Sequence, residues 1–91
     1  RRLRDMDEQA SSLSFQRVKE RAKGIFVRLA QDPSPREGLR TTPPLTHQQI
    51  ADMIGTSRET VTRVVKDLKQ GGWLQQEGKR YLVSAGEARL A

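Results

Sequence analysis

The stretch from Thr46 to Leu68 leaves this chain little freedom in local structure. Thr46-His47-Gln48-Gln49 has the form of a capping box, in which the Thr side chain takes a free backbone N–H and the Gln three residues on reaches back. A helix starts there, with Ile50, Met53 and Ile54 on its apolar side. Gly55 ends it, because glycine adopts the left-handed conformation at little cost. Only Gly55, Thr56 and Ser57 precede the next helix, whose N-terminus either Ser57 or Thr56 can cap. In that second helix, about 58–70, Val61, Val64, Val65 and Leu68 fall at i, i+3, i+4 and i+7 and must face the core. Arg58, Glu59, Thr62, Arg63 and Lys66 are left facing out. Gly71-Gly72 stops the helix, so the segment is two short helices joined by a tight turn.

The flanking segments give this pair its context. Phe15, Val18, Ala22, Ile25, Phe26 and Leu29 lie on one helical stripe, with Arg17, Lys19, Glu20, Arg21, Lys23 and Arg28 around the rest of the circumference. That is a core-packing helix, ended by Asp32-Pro33-Ser34-Pro35 because proline cannot continue the hydrogen-bond ladder. Upstream, Leu3, Met6, Ala10 and Leu13 follow the a/d spacing of a helix that packs on another helix, over a run too short to specify a coiled coil by itself. The segment up to Pro44 reads as a loop, with at most a short strand around Leu39 to Thr42. Trp73 to Gln76 and Tyr81 to Val83 read as strands around a Glu77-Gly78-Lys79-Arg80 turn. The predicted fold is mainly α with a small β-hairpin, a winged helix-turn-helix.

Composition limits what such a fold can do. A chain of 91 residues with 34% hydrophobic content lines a modest core, and 17 Lys and Arg against 11 Asp and Glu leave a net charge of +6. That balance favours a polyanionic partner, although charge alone is equally compatible with a merely soluble basic protein. Cysteine is absent and His47 is the only histidine. Cysteine-ligated metal is thereby excluded within this segment, and any Ser-His pair would have to use that one imidazole. No paired carboxylates in an apolar setting and no phosphate-cradling glycine loop point to catalysis, so the expectation is no enzyme, no catalytic residue, no metal and no cofactor in this segment. No run is apolar enough to span a membrane, and a cytoplasmic protein is expected.

The outward face of the second helix suits duplex DNA. A helix fits the major groove, and an adjoining hairpin can reach the phosphate backbone. Arg58 and Arg63 can each make a bidentate contact to guanine. Glu59 can accept from cytosine N4 and, at i,i+4, can hold Arg63 in place. A carboxylate in an otherwise basic face points to base reading. A protein-interaction module is the alternative, but it would present an apolar face where this chain has Arg58, Thr62, Arg63 and Lys66.

Leu45-Thr46-His47-Gln48-Gln49-Ile50-Ala51, followed by Ile54 through Arg63, resembles the helix-turn-helix signature of the Crp/Fnr family of bacterial transcription regulators, closest to its catabolite activator branch. The resemblance covers roughly residues 13 to 83. Leu13 to Val18 is similar to the family's junction between the dimer helix and the DNA-binding domain, and Trp73 to Val83 is similar to its wing. It implies base reading by Arg58, Glu59 and Arg63 at a TGTGA-like half-site. Phosphate contacts are implied at Thr46, His47, Gln48, Ser57, Thr60 and Lys66, and at Gly78 and Lys79 on the wing tip.

Three positions depart from the family pattern. His47 stands where Arg is common, which suggests a weaker or pH-dependent phosphate contact, or an exposed side chain with no special role. Arg17 replaces a helix-capping Asp at the hinge, and Pro43-Pro44 replace strand residues, which suggests a shorter sheet. The resemblance divides the chain into the end of a dimerisation helix and hinge (1–15), a winged helix-turn-helix (16–86) and a C-terminal tail (87–91). It implies a homodimeric parent on double-stranded DNA, with an effector such as a cyclic nucleotide bound by a separate N-terminal domain. It also implies contact with RNA polymerase through the 32–42 loop.

Overall fold

The computed structural model describes residues 2–86, with side chains from Leu13 onward. It contains three helices, α1 (Arg2–Leu29), α2 (His47–Ile54) and α3 (Arg58–Gln70). Four short strands accompany them: β1 (Asp32–Pro33), β2 (Leu39–Thr41), β3 (Gln75–Glu77) and β4 (Arg80–Ser84). The two apolar stripes read upstream join into one helix. No proline interrupts Arg2 to Leu29, and the backbone continues helical through Leu13 to Val18, where a hinge was expected. The side chains of Leu3, Met6 and Ala10, on which the a/d reading rests, lie outside the described residues, as does the 87–91 tail.

α1 packs across both short helices. Ala22, Phe26 and Ala30 meet Leu45, Ile50, Ala51 and Ile54 from the α2 side and Val61, Val64, Val65 and Leu68 from α3; Leu74, Tyr81 and Val83 close the core from the strands. Each large apolar side chain buried here stabilises the fold by about 1.5–3 kcal/mol relative to leaving it in water. The Phe26 and Tyr81 rings meet at 5.0 Å, tilted by 42°, within the range that favours an aromatic pair. Three of the basic residues of α1 tie it to its neighbours. Lys19 reaches Asp67 at 2.6 Å, Arg21 donates to the Ile54 carbonyl at the end of α2, and Lys23 lies 5.2 Å from the Trp73 ring centroid.

The sheet is larger than a hairpin and its order is β1-β2-β4-β3, all antiparallel. The segment read as a loop with at most a short strand around Leu39 to Thr42 holds that strand, β2, and a second, β1, with Asp32 opposite Thr41 and Pro33 opposite Arg40. Pro33 is tolerated there because β1 is an edge strand. Pro43-Pro44 do end β2 at Thr41, but Thr42 continues the pairing by other means. Its N–H donates to the Tyr81 carbonyl at 2.9 Å, and its hydroxyl accepts the Tyr81 N–H at 3.1 Å. Tyr81, Leu82 and Val83 of β4, an inner strand of the sheet, are all buried instead of alternating. Trp73 and Leu74 lie before β3, not in it, because their N–H groups return to the Leu68 carbonyl as the chain leaves α3.

Candidate nucleic-acid interface

Both helix starts are built from local side chains. Thr46 forms the full capping box with Gln49, and Gly55 takes φ 86° at the end of α2. Ser57, not Thr56, caps α3 by accepting the Thr60 N–H at 3.1 Å. Each cap takes up one first-turn N–H, that of Gln49 or of Thr60, and helix starts in general are a favourable setting for anions.

The outward face of α3 matches the apolar spacing. Val61, Val64, Val65 and Leu68 are buried, and Arg58, Glu59, Thr62, Arg63 and Lys66 are exposed. The partner expected for Arg63 differs. Glu59 turns toward Arg58, with 3.8 Å between their charged atoms, and the Arg63 guanidinium carbon lies 4.7 Å from the centroid of the Phe15 ring. The aromatic ring that α1 presents beside Arg63 offers a less solvated partner than Glu59, whose side chain is 78% exposed. The Arg58–Glu59 pair, equally open to water, adds little stability and leaves both groups available to another partner.

His47 is half-buried and forms a cross-link between the helices. Its Nδ1 lies 2.8 Å from the Thr62 hydroxyl, which also lies 3.1 Å from the Arg58 carbonyl. This contact ties the start of α2 to the outward face of α3. Gln48, also exposed, donates to Asp52 at 2.9 Å.

The wing reaches the same place. β3 and β4 pair Glu77 with Arg80, leaving Gly78-Lys79 as a two-residue turn in which Gly78 has φ 62°. The Leu45 N–H donates to the Lys79 carbonyl at 2.8 Å. Thr46, His47 and Gln48 therefore start beside the Gly78-Lys79 tip, although they are 30 to 33 residues away in the chain. Sequence reading missed a second tether, in which Lys69 donates to Gln76 at 2.9 Å and Gln76 donates to the Gly78 carbonyl at 2.8 Å. Exposed Lys and Gln on neighbouring elements carry no distinguishing signal until their positions in space are known.

Ser57 and Thr60 lie apart from that group, near the start of α3 and toward α1. The Ser57 and Thr60 hydroxyls lie 2.8 Å apart, within hydrogen-bond reach of each other. Lys66 lies on the outward face, two turns along from Glu59. Among the described residues no group of His, Asp and Glu is placed to hold a metal ion, and no helix is long and apolar enough to cross a membrane.

A family model of the Crp-like helix-turn-helix domain matches residues 20–91. The whole chain aligns at 41% identity with the CRP-like cAMP-activated global transcriptional regulator of Mycobacterium tuberculosis, covering 41% of that protein. Ninety-one per cent of it aligns at 33% identity with the cAMP-activated global transcriptional regulator CRP of Haemophilus influenzae, covering 38% of that protein. Among solved structures, the catabolite activator protein of Thermus thermophilus superposes with a TM-score of 0.68 at 31% identity, covering 99% of this chain and 39% of that one. The chain thus spans about two-fifths of the length of each of these relatives.

Proposed function

This chain belongs to the Crp-like helix-turn-helix family of transcription regulators, and on that premise we propose that it binds duplex DNA sequence-specifically by placing α3 in the major groove of a TGTGA-like half-site. The observation that carries this reading is the joint exposure of Arg58, Glu59 and Arg63 along one side of α3, flanked by the wing tip that the Leu45–Lys79 hydrogen bond draws up to the start of α2. Two guanidinium groups and one carboxylate supply donors for guanine and an acceptor for cytosine. Arg58, Glu59 and Arg63 are the base-reading residues in this proposal. Thr46, His47, Gln48, Ser57, Thr60, Lys66, Gly78 and Lys79 meet phosphates.

The parent protein acts as a homodimer, each α3 entering one of two successive major grooves about 34 Å apart. The exposed tip between β1 and β2 is the surface offered to RNA polymerase. A small effector such as a cyclic nucleotide belongs to a part of the parent outside this segment, and no residue here is assigned to it. Regulation of transcription follows from DNA occupancy, without an enzymatic step.

Titration against duplexes with and without a TGTGA-type inverted repeat, at several salt concentrations, tests this reading. Arg58→Ala should relax preference at one base pair by about 1–3 kcal/mol. Lys79→Ala should weaken binding to all sequences alike and lower the salt slope by about one. Equal, salt-independent binding to every duplex would overturn the proposal.

A further inference from the structure

Arg63 is held by a contact that none of its neighbours on α3 shares. Its guanidinium lies over the face of Phe15, a ring contributed by α1. Phe15 is half-buried and packs against the core, so the packing of α1 holds the ring, while Arg63 itself is exposed. The mode of contact matters. A guanidinium held by a carboxylate commits N–H donors to that partner, whereas an aromatic ring offers no lone pair and competes less for them. Glu59, the carboxylate in reach by spacing, is turned to Arg58 instead. A long Arg side chain otherwise loses much rotamer freedom when it is ordered on a base, and a cation–π contact formed beforehand removes part of that loss.

We propose that Phe15 is a positioning residue for Arg63. Its ring holds the guanidinium without drawing it to a carboxylate, so discrimination at the base pair read by Arg63 depends on a side chain of α1 outside the reading helix. The proposal rests on the base-reading assignment of Arg63 and makes Phe15 a specificity-determining position outside the reading helix.

The test uses the whole chain and a set of half-site duplexes carrying each single base-pair substitution. Arg63→Ala first identifies the base pair whose preference it relaxes. Phe15→Leu should then lower discrimination at that pair by about two- to fivefold, the equilibrium factor an exposed cation–π contact supplies, and leave the Arg58-dependent pair unchanged. Phe15→Tyr, which keeps a ring face, should retain the discrimination. In an Arg63→Ala background Phe15→Leu should have no further effect on base preference. Phe15→Met, a second replacement without a ring, guards against a folding defect peculiar to Leu. If Phe15→Leu and Phe15→Met weaken all duplexes equally, or leave discrimination intact where Arg63→Ala relaxes it, the positioning role is wrong and the base-reading assignment stands. If Arg63→Ala itself alters no base preference, both are wrong.

Discussion

Thr42 shows how one side chain can complete a sheet that the backbone cannot. It stands opposite Tyr81, and Pro43 turns the chain away immediately after it, so the Thr42 hydroxyl takes the Tyr81 N–H. The same hydroxyl donates to the Pro43 carbonyl at 2.7 Å, and the residue is fully buried. Thr42→Val keeps the shape and strands the Tyr81 N–H, so urea denaturation should show a loss of about 1–3 kcal/mol, with Thr42→Ser much closer to the parent. A Val variant as stable as the parent would remove the hydroxyl from this role. Tyr81 itself is buried against Phe26, and burial pushes its phenol above the ordinary range. The neutral form is the one the fold favours. Its contribution is therefore complete below the unfolded value of about 10 and is lost as pH rises from there through the folded value. Tyr81 is the only tyrosine, so tyrosinate absorbance should appear at higher pH in the folded chain than in urea. Coincident curves would contradict the burial effect.

Among the elements, α3 combines support and recognition at its first turn. Ser57 caps the helix, and the same turn carries Arg58, Glu59 and Thr60. Stability and DNA contact can be separated there by charge. Asp is as good a cap as Ser and favours the helix dipole, so Ser57→Asp should change stability by less than about 0.5 kcal/mol. A carboxylate at the same place repels phosphate, so binding to every duplex should weaken. Unchanged affinity in a stably folded Ser57→Asp variant would place the start of α3 away from the backbone. The hairpin of β3 and β4 also depends on its neighbours. Lys69 and Gln76 join it to α3, and Arg36 in the turn between β1 and β2 joins it to Glu77 at 2.9 Å. The pairs that hold the wing are thus spread over three segments of the chain.

The molecule measures 48 × 21 × 21 Å, and the 28-residue α1, at about 1.5 Å per residue, accounts for most of its length. One copy presents one α3, so joining two copies by a tether long enough to span the half-sites should raise affinity for an inverted repeat by about 10²- to 10⁴-fold over a single half-site. Equal affinity for both duplexes would argue against paired use of the interface. Much of this architecture was legible in the chain itself. Caps, a glycine stop and the spacing of Val61, Val64, Val65 and Leu68 are local or periodic signals, and they predicted α2, the turn, α3 and its outward face because helix geometry repeats within a few residues. The additional strand β1 and its pairing with β2, the placing of Arg63 over Phe15 instead of pairing with Glu59, the link from His47 to Thr62, and the meeting of Leu45 with Lys79 were not legible. Each joins groups far apart in the chain or selects among several partners within reach. Such choices follow from burial and backbone hydrogen bonding after the helices and strands have packed, and periodicity carries no record of them.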